Sequence, residues 1–270
     1  KMKIFSKLYA FLRKDFLIKM SYKMSFMYDF ISIFLKVFIL FFISQFIKID
    51  QQLSFDIESY FSYAIFGLCF MDVLTLIVGS APREMEDMKK TGILEEIILL
   101  PMGNYAAIFG CNLYQIFMSL LKVSIYLILG SALAGYLLID FQYLFHFILT
   151  LLLLLSSFVF ISLIGSSFSI WFAKSSLVPI LYVTFSLILA EIYFPKELLY
   201  EELSFFSALF SLSPSLENFR MLNEAGFNYE IFKSNLMHLC ILNIFYGLSS
   251  ILMLRHAIKY AKANGSFLYY

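Results

Sequence analysis

Long apolar runs, broken by short polar or charged stretches, set the pattern of this chain. A helix crossing the hydrocarbon core of a bilayer needs about 20 mostly apolar residues. Six runs meet that length, at 26–47, 59–80, 105–131, 144–173, 177–194 and 235–254. The third and fourth exceed it, so tilting or extension beyond the lipid is expected of them. Only Leu137–Tyr143 separates these two, and Trp171–Ser176 separates the fourth from the fifth. Ahead of the first run, Phe5, Leu8, Leu12 and Phe16 recur at helical spacing, while Lys7, Lys14 and other bases fill the remaining surface. That pattern predicts an amphipathic helix over residues 1–25, lying in the headgroup region. A basic tail that only fixes topology is the plainer alternative. Between the fifth and sixth runs, residues 195–233 predict an outer re-entrant or helical excursion.

The expected fold class is therefore all-α integral membrane. It has six transmembrane helices, an N-terminal amphipathic interfacial helix, and extracellular helical hairpins between spans five and six. The whole of 1–270 forms a single transmembrane domain.

Composition agrees. Of the 270 residues, 61% are hydrophobic, against roughly 45–50% in soluble domains. The mean hydropathy is +0.84. Twenty Lys and Arg nearly balance 19 Asp and Glu, so no nucleic acid or other polyanion is expected as a partner. Cys69, Cys111 and Cys240 all lie in apolar runs without a CxxC spacing, so they read as packing residues, not as a metal or disulfide framework. No cleavable signal peptide is expected, because the first run is long enough to span and lacks a small-residue cleavage site. The chain begins on Lys rather than Met, which leaves room for residues upstream.

The placement of charge orients the spans. With both termini cytoplasmic, the inner segments carry 14 Lys and Arg and the outer ones four. The positive-inside rule selects that orientation in the cell membrane. It puts residues 81–104 in the cytoplasm, with eight charges between Pro82 and Pro101.

Four ionisable residues fall inside spans: Lys36, Asp72, Lys122 and Glu191. Each is costly there unless paired or wetted. On a rise of about 1.5 Å per residue, Lys36 and Asp72 both sit about 12–15 Å from the cytoplasmic ends of their spans. Lys122 and Glu191 both sit about 21–26 Å up. Matched depth and opposite sign predict two pairs, Lys36–Asp72 and Lys122–Glu191. Structural pairing or snorkelling is the plain reading, and a polar route is the sharper one.

Motifs for chemistry are missing. There is no GxxxxGK[ST], so the chain has no P-loop of its own. GSALAG at Gly130–Gly135 has suitable glycine spacing but no Lys, and reads as helix-packing material. Neither HExxH nor GxSxG occurs, and Ser166 and Ser167 have no histidine at a plausible depth. Nothing resembles an ion-selective filter or a proton relay.

One stretch does carry a resemblance. REMEDMKKTGILEEIILLP, Arg83 to Pro101, resembles a signature of ATP-binding-cassette (ABC) type-2 exporter permeases, R-E-x-E-x-x-x-x-G-T-L-E-x-L-L-x-S-P between spans two and three. Arg83 and Glu84 match its opening pair. Gly92, Leu94 and Glu95 match the G-x-L-E core, and Pro101 the closing proline. Ile93 replaces the usual Thr, and Leu100 the usual Ser. A second patch is similar to the same family: YFPKELL at Tyr193–Leu199, with Pro195, then Ser213–Pro214, then Arg220. Its second proline is replaced at Leu199 and Tyr200, and Ala190–Glu191 stands where the family usually has Gly.

The resemblance implies a permease subunit without an ATPase site, working with two separate cytoplasmic ABC ATPase subunits that hold ATP and Mg. It implies a second permease chain, identical or related, because six spans form half a pathway. Residues 81–104 would hold the coupling helix. Ile97, Ile98 and Leu99 would seat in an ATPase groove, with Arg83, Glu84, Glu86, Glu95 and Glu96 fixing register. Walls rich in Phe, Tyr, Leu and Ile suit a drug-like, peptide-antibiotic or lipid-like cargo. A polysaccharide or glycolipid exporter, a secondary transporter or channel independent of ATP, and a scaffold such as a haem-export-like permease are the alternatives.

Overall fold

The computed structural model describes residues 12–14, 16–18, 21, 23–47, 57–93, 104–172, 177–190, 192, 206–222 and 227–264. Among them it has eight α-helices, one 3-10 turn and no strand. They are α1 (Lys23–Ile47), α2 (Ile57–Val78), α3 (Ser80–Lys90), α4 (Asn104–Ala134), α5 (Leu144–Trp171), α6 (Leu177–Leu189), α7 (Leu212–Met221) and α8 (Tyr229–Asn264).

Among the described residues, five helical segments are long and apolar enough to cross a membrane: Met27–Gln45, Tyr60–Lys90, Ile108–Ala134, Phe141–Trp171 and Tyr229–Ala263. The chain is thus a helical integral membrane protein. They coincide with five of the six runs expected from sequence. The sixth, 177–194, differs. Its helix α6 has 13 residues, about 20 Å of axis against the roughly 30 Å of a hydrocarbon core. Ala190 N–H still donates to Ser186 O at 2.9 Å, but the chain bends there. The outer helices are longer than expected. With 36 residues, α8 runs about 54 Å and projects past the apolar layer.

Helices α2 and α5 form the inside of the bundle. Of the most apolar part of each, 72% and 61% is buried, against 22–28% for α1, α4 and α8. Helix α8 packs along α5, and α4 and α1 pack on α2. Exposed apolar faces remain on α1 (Ile31, Leu35, Ile39), α6 (Ile180, Leu181, Ile188) and α8 (Ile241, Ile244, Leu248). Lipid tails solvate such faces at no cost, so they need no protein cover. Most of the hydroxyls inside α5 fit this setting because they turn back on their own helix. Ser157, Ser166 and Ser167 donate to Leu154 O, Ser162 O and Leu163 O.

Two close approaches fix the inner packing. A Cβ on Gly67 would lie 2.4 Å from the carbonyl oxygen of Ile192, so only glycine lets that backbone lie against α2. A Cβ on Gly165 would lie 2.8 Å from Pro82 Cγ, so glycine seats α3 on α5.

The expected outer excursion is represented by α7, which is buried. Phe219 stacks on Phe70 at 4.3 Å and packs on Phe147 at 4.9 Å. Pro214 lies in its first turn, where a missing N–H costs nothing. Of the expected interfacial helix, residues 12–14 and 16–18 are helical, with Leu12 half-buried and Phe16, Leu17 and Ile18 exposed. Phe5 and Leu8 lie outside the described residues.

Candidate functional site

The second span does not end at residue 80. It kinks at Gly79 and continues as α3, whose first turns carry Pro82 and bury Ala81, Pro82 and Met85 against α5 and α4. Residues 81–90 are therefore an integral part of the bundle, whereas the sequence pattern assigned them to a loop. Pro82 sits in the first helical turn, so the helix tolerates it. Ser169 of α5 donates to Pro82 O at 3.3 Å, and Ser80 Oγ donates to Asn112 Oδ1 of α4 at 2.8 Å. Gly92 ends α3 just after its last residues. Its φ of 73° is left-handed, and its N–H donates to Lys89 O at 3.2 Å. This is the usual role of glycine after a helix C-terminus. On the exposed side Glu86 pairs with Lys90 at 2.7 Å, and Glu84 is half-buried. Leu94, Glu95, Glu96 and Pro101 lie outside the described residues, as do Ile97, Ile98 and Leu99.

Above α3, a cleft opens between α1, α2 and α4. Its volume is about 220 Å³, and Asp29, Ser32, Lys36, Asp72, Thr75, Arg83 and Lys122 line it. At its inner end Lys36 Nζ donates to both oxygens of Asp72, at 2.6 and 2.7 Å. Tyr126 of α4 donates to Asp72 Oδ2 at 2.5 Å. The expected Lys36–Asp72 pair is thus formed, and a tyrosine completes it. Both charges belong there only as a set, because an isolated one inside the membrane is expensive.

Of the other expected pair, Glu191 falls outside the described residues, and Lys122 Nζ lies 3.7 Å from Asp29 Oδ1. Helix geometry accounts for that contact. With 31 residues, α4 is about 46 Å long, so its first turns extend past the hydrocarbon and a depth counted from residue 105 is too great. Lys122 therefore lies level with the start of α1. The 3.7 Å separation is an ion pair but too long for a hydrogen bond.

Arg83, the residue expected to help fix ATPase register, stands exposed in the first turn of α3. Its side chain leans toward the N-terminal end of α3, as helical side chains do. The guanidinium lies over Gly79, where a Cβ would come within 2.8 Å of Nη2. From there it lines the mouth of the cleft. No carboxylate lies within ion-pair distance of it among the described residues.

Sequence reasoning missed Asp29, Tyr126, Ser32 and Thr75. Spacing held the signal. Asp29, Ser32 and Lys36 stand at i, i+3 and i+7, and Lys122 and Tyr126 at i and i+4, so each set shares one helix face.

Of the outer residues, Pro195 lies outside the described set. Arg220 is buried on α7. Its guanidinium carbon lies 3.3 Å from the centre of the Tyr63 ring, and Nη2 donates to Ile192 O at 3.3 Å. Arg220 thus ties α7 to α2 and to the segment after α6. Among the described residues no group of three or more His, Cys, Asp or Glu is placed to hold a metal.

The site is therefore a polar cleft inside a lipid-facing bundle, joined through Gly79 and Arg83 to a short helix capped by Gly92. No protein-family model matches the chain, and no curated protein matches it in sequence.

Proposed function

We propose that this chain is the transmembrane permease subunit of an ATP-driven exporter of the ABC type-2 kind. Two cytoplasmic ATPases would supply ATP hydrolysis, and a second permease chain would complete the pathway in the cell membrane. Both termini would be cytoplasmic, and the cargo would be drug-like or lipid-like.

The observation that carries the reading is α3. The Arg83–Glu84 positions of the signature fall on a short helix that continues the central span, and Gly92 follows its end in the left-handed conformation to which glycine is suited. Helix α3 also packs on α5 and α4. A displacement of the residues after Gly92 would therefore be transmitted to both inner helices and to α4, because close-packed helices move as rigid bodies. This is the mechanical property a coupling element needs.

The test is co-expression with the ATPases of the host. The wild type is expected to co-purify with one of them and to transport only when ATP is hydrolysed. Glu95→Lys with Glu96→Lys is expected to abolish co-purification while the chain still inserts and elutes normally. If that variant co-purifies and transports like wild type, the coupling role is wrong.

The Lys36–Asp72–Tyr126 cluster favours a second reading, a carrier that needs no ATPase, because intramembrane ion pairs mark substrate paths. Transport by the purified chain alone would select it.

A further inference from the structure

The cleft between α1, α2 and α4 has an uneven charge balance. At its inner end Asp72 accepts from both Lys36 and Tyr126, so that set is neutral. At its mouth Lys122 faces Asp29 at 3.7 Å, a loose pair that leaves hydrogen-bonding capacity on the ammonium. Arg83 adds a guanidinium with no carboxylate partner among the described residues. The net charge of the cleft is thus +1, concentrated at the mouth. Ser32 of α1 and Thr75 of α2 also line the cleft. The Thr75 hydroxyl donates to Asp72 O at 3.0 Å, so its proton is committed and the donors left for an anion are Arg83 and Lys122.

The mouth is also at the right level. Asp29 is the third residue of the apolar segment that begins at Met27, and Arg83 follows the end of α2. Charges at the ends of spans lie where headgroups lie. The adjoining face of α1 is apolar and exposed at Ile31, Leu35 and Ile39, a surface along which an acyl chain packs.

We propose that this cleft binds the anionic phosphate group of an amphiphile or of a soluble phosphate. Arg83 and Lys122 would be the direct contacts, and Asp29 the competing carboxylate that keeps the site from closing on multiply charged anions. A guanidinium fork and an ammonium are the donors that recognise phosphate oxygens. The inference does not rest on the exporter reading, since it needs no ATPase.

The test is native mass spectrometry of the full chain released from vesicles of phosphatidylcholine with phosphatidylglycerol. Wild type is expected to retain phosphatidylglycerol over phosphatidylcholine by about tenfold, because both offer a phosphodiester but the choline cation of the latter is repelled by the net positive charge of the cleft. Arg83→Gln and Lys122→Gln are each expected to bring that ratio near unity. Asp29→Asn is expected to raise it, so the proposal is tested even if a cation variant inserts poorly. A Lys259→Gln, Lys262→Gln variant, altered on the exposed end of α8, is expected to keep the wild-type ratio, which separates the cleft from general surface charge. Inorganic phosphate is the second arm. Displacement of bound lipid by phosphate, lost in Arg83→Gln, supports a site that accepts soluble phosphate as well. Equal retention of the two lipids with no phosphate binding overturns the proposal. So does a preference that survives both Arg83→Gln and Lys122→Gln.

Discussion

Removing Asp72 alone is expected to harm the protein more than removing Asp72 together with Lys36. The geometry sets the size. At 2.6–2.7 Å and an effective dielectric of about 20, the two unit charges attract by about 6 kcal/mol before desolvation is counted. Most of that offsets the cost of taking both ions out of water. In Asp72→Asn the ammonium of Lys36 is left without a counter-charge. Breaking one side of a buried pair costs about 3–5 kcal/mol. Lys36 is 41% exposed and its stem can carry the charge toward the headgroups, so about 2–3 kcal/mol is expected here. In Asp72→Asn with Lys36→Met no charge is stranded, and Tyr126 keeps an amide oxygen to donate to. That double variant is expected to lose about 1 kcal/mol. Lys36→Met alone leaves Asp72 with Tyr126, 16% exposed, and about 1–2 kcal/mol is expected. The cycle therefore predicts a coupling energy of about 3 kcal/mol, at the upper end of the range for contacting residues. Reversible unfolding in mixed detergent, followed by circular dichroism on all four proteins, measures it. Additivity within about 0.5 kcal/mol would mean that the pair carries no mutual energy and would refute the reasoning.

Two further outcomes follow from close contacts. Gly67→Ala is expected to destabilise by about 1–3 kcal/mol, because its methyl group meets the Ile192 backbone and not a side chain that can turn away. The melting temperature in detergent reports it, and an unchanged value would place Ile192 elsewhere. Arg220→Lys is expected to lose about 1–2 kcal/mol despite keeping the charge, since an ammonium cannot stack flat on Tyr63 while reaching Ile192 O. The same melting measurement checks it, with Tyr63→Leu in the Arg220→Lys background expected to add little further.

The spans were legible in the sequence because lipid is an undemanding solvent. It asks only for length and apolarity, so Phe141–Trp171 reads as a span whatever its neighbours do. The kink at Gly79 was not legible. Arg83, Glu84 and Glu86 read as the start of a loop, since charge normally ends a span. Burial of Ala81, Pro82 and Met85 against α5 and α4 overrides that signal. Helix α6 failed in the opposite sense, because its apolar run continues past Leu189 whereas the helix stops.

The ion pairs divide along the same line. Lys36 and Asp72 could be matched by depth because α1 begins, and α2 ends, near the same water boundary, so counting residues measures height. Lys122 stands lower than the count placed it, because α4 extends well beyond the lipid, and it faces Asp29. One sequence alone thus determined what the chain dissolves in, where five of its long helices lie, and which charges needed partners. Height and rotation of each helix belong to the packing around α2 and α5. Only that packing decided which charges meet and that Arg83 turns back over Gly79 into the cleft, because side-chain contacts between helices depend on offsets that no single helix encodes.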